Sequence, residues 1–536
     1  MQVRQSSTPV NFGRTRRADA GVMMTSGRAG KVIPLNYIPL LRGDSASGMV
    51  AVQVDLAPMP RPLLNQATVN LQAWFVPKSA YPQFSGYDEF MHSYQGADIK
   101  ALGAADRTPP AFFNTLTGAD LTTVAGSELY QTLGIHLDGR DINTDIIDGY
   151  GLIHNFRQSA HTSKLTRRDY ATENLANATA LARAFWPSSR LSRIVPDYER
   201  ALVVGDLDLD VTQGRVPITY GDPKPGTSAI PTGGIRYDAT DGAKIFYGSG
   251  GDFTYDAANA LFADIVGSSI GTSLADIDKA RTTQAFAKLR AAYNGNDATG
   301  FDNDSTIVAE LMQGFSVPEM MFKRPWLLDS KRVPVGMVER HSTDSADLNA
   351  STTEGQASAS LSINVPKQDV GGYIFIVCEI VPERLYERQN DDVLHMTSTS
   401  EFPDALRDIQ RTEPVDQVLN RRVDAKHTTP SGLFGYEPMN DVWNREYTRL
   451  GGDFYQATPG TPWTEQRSAI WQADIVDPGF TSDHWLCPAD LPHNIFADTL
   501  GDAAEIACRH NVVVSGLTQI GDVLHEDNSD YLEVAS

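Results

Sequence analysis

The chain has 536 residues, of which 41% are apolar, so it can bury a large core, yet it has no apolar run of the roughly 18–20 residues that span a membrane. Three cysteines are too few for a disulfide framework, and the N-terminal segment lacks the apolar stretch of a secretory signal, so we expect synthesis in a reducing cytoplasm, no secretion and no membrane insertion. The net charge of −22 is unfavourable for a nucleic-acid contact spread over the whole surface.

The first 30 residues differ from the rest of the chain. They are rich in Ser, Thr, Gly and Arg and poor in large apolar side chains, which predicts a flexible, basic N-terminal arm. Residues 1–42 hold seven basic residues and one acidic residue, which gives this segment +6 and leaves −28 for the remainder. The candidates for nucleic-acid contact are therefore Arg4, Arg14, Arg16, Arg17, Arg28 and Lys31. A solvated tail without a ligand is the alternative.

Alternation of apolar and polar residues predicts several half-buried strands. They cover 49–56, 66–76, 207–211, 333–337 and 357–365, with a further candidate at 511–517. Prolines at 58, 60 and 62 predict an extended connection, not a tight hairpin, between the first two. Residues 373–381 are apolar on both faces, which predicts a central strand covered on both sides.

Helix signals are fewer. The best helix is predicted at 274–293, with Thr272 or Ser273 as its cap and Asn294-Gly295 at its end, and a weaker one at 173–185. Strands thus lie at both ends and in the middle of the chain, separated by long stretches at about 78–200 and 222–330. We therefore expect residues 31–536 to form a single β-sandwich domain with two large insertions.

The zinc-protease, serine-hydrolase and P-loop motifs are absent from the sequence, and we predict no catalytic residue, no metal and no cofactor. Asp141, Asn143 and Asp145 have the opening rhythm of a calcium loop, but Ile146 stands where glycine is needed and Leu152 where glutamate is needed. An acidic solvated loop is the favoured interpretation, with a loosely bound cation as the alternative.

Three further clusters have a structural and a functional interpretation. His484, Cys487, His493, Cys508 and His510 include zinc-ligand types but lack tight C-x₂₋₄-C spacing, so buried cysteines and surface histidines are favoured. The acidic residues Asp206, Asp208 and Asp210 predict a solvent-exposed face of a strand. The dense aromatics after 435 (Tyr436, Trp443, Tyr447, Phe454, Tyr455, Trp463 and Trp471) favour packing over base stacking, because only Arg445, Arg449 and Arg467 accompany them.

Four segments, at 32–76, 274–326, 373–386 and 434–463, occur in the order of the anchor segments of one family. The motifs are Val32-Ile33-Pro34 and Leu41-Arg42-Gly43-Asp44, two turns before the first strand; Trp74-Phe75-Val76-Pro77; Arg324-Pro325; and Phe434-Gly435-Tyr436-Glu437-Pro438 followed by Tyr447 and Gly452-Asp453-Phe454. In these segments the chain resembles the major capsid proteins of microviruses, small icosahedral phages with single-stranded DNA. Arg42 and Trp326 depart from the family pattern, which indicates a divergent member.

This resemblance implies an eight-stranded antiparallel viral jelly-roll barrel with long insertions. It also implies a non-enzymatic protein that self-assembles into a T=1 icosahedral shell around circular single-stranded DNA. The implied location is the virion, with assembly in the cytoplasm of the bacterial host. Implied partners are other copies of the chain, the genome, scaffolding, DNA-pilot and small basic DNA-binding proteins, and a host surface receptor.

Two other functions stay open on the sequence. One is a β-sandwich carbohydrate-active or glycan-binding phage protein, in which two carboxylates would face each other across a cleft. The other is a nucleic-acid-binding protein that forms no shell and binds DNA in a salt-sensitive way. If the capsid interpretation holds, the basic arm is expected to face the genome.

Overall fold

The structure is a computed structural model. It describes residues 13–100, 106–162, 164–196, 323–341, 351–411, 415–446, 448–455, 466–473 and 475–520, together with four short strands between 215 and 264. The chain divides into two compact units, one of Met1–Leu202 with Ala291–Ser536 and the other of Val203–Arg290. The predicted strand at 207–211 and the predicted helix at 274–293 lie outside the described residues, as does Arg4.

Strands form the two central sheets of the first unit. The strands of the first unit are β1 (Thr15–Gly27), β2 (Val32–Leu40), β3 (Ser45–Leu56), β4 (Ala67–Pro77), β5 (Thr115–Leu116), β6 (Ile142–Asn143), β11 (Trp326–Pro334), β12 (Gly336–His341), β13 (Ser351–Val365), β14 (Gly372–Pro382), β15 (Val415–Leu419), β16 (Leu433–Pro438) and β17 (Ala504–Gly516). The second unit contains β7 (Arg215–Pro217), β8 (Tyr237–Asp238), β9 (Lys244–Ile245) and β10 (Phe262–Asp264). In the second unit, β7 pairs with β10 and β8 with β9.

Two antiparallel sheets make up the centre of the first unit. One has the order β1-β17-β3-β13-β12 and the other β11-β4-β14-β2. A contiguous core holds the inward-facing side chains of both sheets, such as Val52 and Ile506 from the first and Leu71 and Ile374 from the second. The described part of the chain is therefore mainly β with antiparallel sheets, as the sequence predicts.

The pairing between strands follows a simple rule. If β1, β2, β3, β4, β11, β13, β14 and β17 are numbered one to eight, the first pairs with the eighth, the second with the seventh, the third with the sixth and the fourth with the fifth. Pairs β17–β3 and β14–β4 then join these four pairs into the two sheets. Strand β12 follows β11 directly and pairs with β13.

The strand register defines two ends of the sandwich. At the end we call lower, Pro77 pairs with Gly372 and the turns at 41–44 and 366–371 lie close together. At the upper end, Ala67 pairs with Pro382 and Leu56 with Ala504. The long insertion from 78 to 325 therefore leaves and returns at the lower end, while the insertion from 383 to 503 leaves and returns at the upper end.

Side-chain pattern explains why the central strands form. Every side chain of β14 except the half-buried Tyr373 is buried, as predicted for a strand covered on both faces. Strand β13 alternates Ala, Leu, Ile and Val inward with Ser and Asn outward, which is the half-buried pattern. Gly48 permits close contact between β3 and β17, because a Cβ atom there would lie 2.3 Å from the carbonyl oxygen of Asn511.

The helices lie in the insertions. They are α1 (Tyr87–Gln95), α2 (Ala119–Ala125), α3 (Glu128–Thr132), α4 (Asp145–His161) and α5 (Leu175–Thr179), followed by short helices at Asp392–His395, Ala405–Gln410, Asn420–Val423 and Ser482–Trp485. Single 3₁₀ turns occur at Lys78–Ala80, Arg190–Arg193, Thr399–Glu401, Asp441–Trp443, Gly452–Phe454 and Gln466–Ala469. Among the described helices, none is long and apolar enough to cross a bilayer.

Helix α4 covers the outer face of the four-stranded sheet. Gly149 faces β14, where a Cβ atom would lie 2.7 Å from the Phe375 ring, and Phe156 contacts Trp74 edge to face at 5.9 Å. Nearly all of α4 is buried, so its sequence has no polar face to show a helical period.

Three sequence predictions need correction. The arm predicted to be flexible over 1–30 contains β1, a 13-residue strand paired along its whole length with β17. Val32-Ile33-Pro34 lies inside β2 rather than in a turn, so the strand at 45–56 is the third, not the first. The helix predicted over 173–185 is limited to Leu175–Thr179, because residues 182–184 bond in extended form to residues 30–32 and 487.

Candidate functional site

The basic residues at the start of β1 bind other parts of the same chain. The Arg17 guanidinium lies 2.6 Å from Oδ2 of Asp44, whose side chain is fully buried and also accepts the backbone N–H of Leu41 at 2.7 Å. Arg14 donates to the carbonyl oxygen of Ser515 at 2.6 Å and to the Ser45 hydroxyl at 3.2 Å. These contacts attach the beginning of β1 to the lower end of the sandwich.

The basic residues after β1 are also engaged. Arg28 donates to the carbonyl oxygen of Leu500 at 2.9 Å and contacts Nδ1 of His493 at 2.8 Å. Lys31 forms an ion pair with Glu128 at 2.9 Å. A DNA-binding arm requires its basic residues to form one open surface. The structure does not bring Arg14, Arg17, Arg28 and Lys31 together in that way. Charge counting could not show this, because the partners lie far away in sequence.

Arg16 points the other way, onto the outer face of the five-stranded sheet. We call this surface the sheet face. Its side chains are mostly small or polar, and they include Arg16, Val22, Met24, Ser47, Met49, Gln53, Ser358, Ser360, Ser362, Asn364, Arg509, Asn511 and Val513. Met24 is 78% exposed and Met49 is 59% exposed. Sequence alternation predicted outward positions on single strands, but only the pairing places them on one surface.

A cavity of about 550 Å³ opens at the lower end, and we call it the aromatic pocket. Its lining combines the turns at 39–43 and 367–373 with residues from the long insertion, among them Lys78, Tyr94, Phe112, Phe113 and Asp145. Arg42 and Lys367 stand at its rim, and the Arg42 guanidinium stacks on Tyr94 at 4.4 Å. Such a cavity, apolar with a few polar groups, is typical of a site that receives another molecule.

Inside the pocket wall lies a buried ion pair. The Lys78 ammonium is 2.5 Å from Oδ1 of Asp145 and stands over the rings of Tyr81 and Phe113, each at 4.6 Å. Burial lowers the pKa of Lys78 and raises the pKa of Asp145, while their mutual attraction opposes both shifts. This pair fixes the start of α4, so Asp145 belongs to the wall of the pocket and not to a calcium loop.

The Phe434–Pro438 motif forms a second buried cluster. Glu437 lies between two arginines, 2.9 Å from Arg190 and also paired with Arg422. Burial raises the pKa of Glu437, and the two guanidinium groups oppose that shift. Tyr436 exchanges backbone hydrogen bonds with Val195, and a Cβ at Gly435 would lie 2.6 Å from the Val195 carbonyl oxygen. The motif thus joins the two insertions.

The other motif residues have structural positions as well. Arg42-Gly43-Asp44 is a turn before β3, with Gly43 at φ +79°. Pro77 ends β4, and Pro34 lies beside a bulge in the β2–β14 pairing. Pro325 is buried just before β11 and Arg324 is exposed; Gly452, Asp453 and Phe454 form a 3₁₀ turn, and Tyr447 lies outside the described residues.

Among the described residues, no group of three or more His, Cys, Asp and Glu side chains is arranged to hold a metal ion. All three cysteines are buried and free. Burial lowers the pKa of His484 to about 3, helped by Arg384, and that of His493 to about 4, helped by Arg28. The His510 ring instead contacts Asp19 at 2.8 Å.

The aromatic residues after 435 that the structure describes lie in different surroundings. Trp471 is fully buried and donates its indole N–H to the carbonyl oxygen of Pro492, as the packing interpretation predicts. Trp443 stacks on Phe402 at 5.7 Å, and Tyr455 is 68% exposed. Trp463 lies outside the described residues.

Comparison with known proteins adds no relative: no protein-family model and no curated protein matches the chain.

Proposed function

We propose that this chain is the major capsid protein of a microvirus-like phage and that its two sheets form an eight-stranded viral jelly roll. The observation that carries the proposal is the pairing of the eight long strands, first with eighth, second with seventh, third with sixth and fourth with fifth. A single antiparallel ribbon folded back on itself and then rolled up produces these four pairs. A double-sheet jelly roll, the architecture of many shell proteins, is expected to have this pairing, which supports the proposal.

The positions of the motif segments support the same proposal. The anchors at 32–76 and 373–386 supply β2, β3, β4 and β14 of the two sheets, and the anchor at 434–463 joins the insertions. The resemblance and the strand pairing are independent observations, because the first depends on residue identities and the second on backbone register. Together they favour a shell protein that closes as a T=1 icosahedron around circular single-stranded DNA, located in the virion.

Long insertions at both ends of the sandwich suit that function. Icosahedral shells bury large interfaces between copies, and extended insertions provide area for them. The insertions of this chain run from 78 to 325 and from 383 to 503, so they hold more residues than the strands of the two sheets.

Only cations that are exposed and not bound within the chain can contact the genome. Arg16 and Arg509 lie on the sheet face, but Asp55, Glu354 and Glu505 share that face, so it has no excess of positive charge. Such a surface attracts phosphate weakly. We therefore propose that most neutralisation of the genome comes from the small basic partner proteins that the resemblance implies.

Electron microscopy of the expressed chain, alone and with the other structural proteins of the phage, tests the proposal. The expected result is uniform small icosahedral particles whose DNA is protected from nuclease. Lectin domains share the jelly-roll architecture, so the same preparation should be tested for glycan binding and glycan cleavage. A monomer that forms no particles with all partners present, and that cleaves glycans, would reject the capsid function.

A further inference from the structure

The insertion at the upper end displays four large apolar side chains to solvent. Leu394 is 78% exposed, Phe402 48%, Leu406 75% and Ile409 81%. We call them the apolar knob. Leu406 and Ile409 are three positions apart on the helix Ala405–Gln410, so they project side by side. Phe402 is partly covered by Trp443, so Leu406 and Ile409 are the adjacent pair that the helix presents to solvent, and exposed aliphatic side chains placed together suit an interaction surface.

The backbone beneath the knob is firmly held. Asp404 caps the helix by accepting the N–H groups of Leu406 and Arg407 at 3.0 and 3.1 Å. The Arg407 guanidinium donates to the carbonyl oxygens of Ser400 at 2.7 Å and Phe402 at 2.8 Å. Such a loop presents Leu406 and Ile409 in a fixed geometry, which lowers the entropy cost of docking them.

The aromatic pocket at the lower end has the complementary properties. Its lining includes exposed apolar groups, with Leu41 at 53%, Tyr94 at 50%, Phe113 at 44% and Leu517 at 47% exposure. Its volume of about 550 Å³ suffices for the ends of two aliphatic side chains.

Charge is complementary too. Residues 391–411, which carry the knob, hold five carboxylates and two arginines. Asp391 and Asp392 pair with arginines outside this segment and Arg411 pairs with Asp416, so the remaining three carboxylates and Arg407 give the knob a net charge of −2. The pocket lining holds Arg42, Lys78 and Lys367 against Asp145 and Asp369, a net charge of +1. Because Lys78 and Asp145 neutralise each other inside the wall, Arg42 and Lys367 are the cations available at the rim.

The knob belongs to the insertion that leaves at the upper end, and the pocket is lined by turns of the lower end. We propose that Leu406 and Ile409 of one copy insert into the aromatic pocket of a second copy of the chain. This is a head-to-tail contact between two different surfaces, and such contacts close into rings when the rotation between copies permits. The inference rests on the proposed shell function and adds to it the pair of surfaces that meet.

Site-specific disulfide formation tests this contact. One preparation of the full chain carries Leu406→Cys and another carries Leu41→Cys, at the rim of the pocket. The two are mixed, assembled or concentrated, and oxidised. The native cysteines are buried and burial raises their pKa, so they contribute little background. A crosslinked dimer is expected in the mixture.

Leu500→Cys is the matched control, since Leu500 is 87% exposed but belongs to neither surface, and its mixture with Leu41→Cys should give no dimer. Shells that form without the 406–41 crosslink would overturn the inference and leave the capsid function standing. If no shells form with all partners present, the capsid function fails, and the crosslink in the concentrated chain still decides the inference. A glycan or mononucleotide that occupies the pocket without any crosslink would identify a different occupant and overturn it.

The paired variant Leu406→Asp with Ile409→Asp gives a second readout. Both side chains are exposed in the single chain, so its unfolding should not change, whereas assembly should be lost. Leu500→Asp should assemble normally. Normal assembly of the double variant would contradict the proposed contact.

Discussion

Removing Arg17 should destabilise the folded chain, whereas removing its neighbour Arg16 should not. The two residues are adjacent in β1 and carry the same charge. The Arg17 guanidinium neutralises Asp44, a carboxylate with no exposed surface, while Arg16 lies on the open sheet face. A free basic arm would make the two substitutions equivalent, so the comparison tests whether Arg17 is held within the fold by Asp44.

The size of the effect follows from burial. Breaking a fully buried ion pair costs about 3–5 kcal/mol, because it leaves an uncompensated charge. Exposed pairs contribute about 0.2–1 kcal/mol. The Arg17 side chain is 26% exposed and that of Asp44 is 0% exposed, so the pair lies between these limits. We expect Arg17→Ala to lower the free energy of unfolding by about 2 kcal/mol, and Arg16→Ala to change it by less than about 0.5 kcal/mol.

Urea unfolding of the full chain, followed by tryptophan fluorescence, measures both variants. A double-mutant cycle with Asp44→Asn isolates the pair, and its coupling energy should account for most of the loss. Equal stabilities for Arg17→Ala and Arg16→Ala would refute the assignment of Arg17 to a structural role.

Three further predictions concern packing and protonation. Gly48→Val should abolish the yield of folded protein on expression, because its Cβ would lie 2.3 Å from the Asn511 carbonyl oxygen. Gly126→Ala is the control, since its nearest contact would be at 3.6 Å, and it should express normally. The buried His484 and His493 are neutral in the folded chain, with pKa values of about 3 and 4, and are protonated below about 6.5 once unfolded. The free energy of unfolding should therefore fall as pH drops from 6.5 to 4, by up to about 1.4 kcal/mol per pH unit for each histidine. Urea titrations at several pH values measure this slope, which should be smaller in His484→Phe. The same slope of unfolding free energy against pH in that variant would contradict the prediction. The cysteine thiols should react with a chromogenic disulfide only after denaturation, since burial raises their pKa, that of Cys508 to about 12; rapid reaction of the native chain would be inconsistent with the core.

The strands that were predicted well have strong alternation or continuous apolar runs. β3, β4 and β13 each bury one face in the main core, so a period of two is visible in their residues, whereas β14 is buried on both faces and shows a continuous apolar run. Strand β1 gives no such signal. It is an edge strand whose inward side chains include Thr15, Arg17 and Asp19, and its outward ones include Val22 and Met24.

Helix α4 was missed for a related reason. Gly149 and Gly151 lower helix propensity, and burial on all sides removes the polar face that a helical period requires. Gly149 is explained by its neighbours Phe375 and Tyr81, and Phe375 is more than 200 residues away in the chain.

The candidate surfaces could be predicted less well than the strands. Charge counting identified Arg14, Arg17, Arg28 and Lys31 as basic, but their bonding partners depend on strand register and on the folded insertions. The aromatic pocket combines the residue Tyr94 from one insertion with turns that precede and follow it by many residues. Surfaces of this kind arise from tertiary pairing, which no local pattern encodes.

Cryo-electron microscopy of particles purified from the native source tests the central claim most directly. The account predicts a T=1 icosahedral shell built from this chain, with β1 paired to β17 in each copy. A particle in which this chain is a minor component, or a shell whose subunit lacks that pairing, would contradict it.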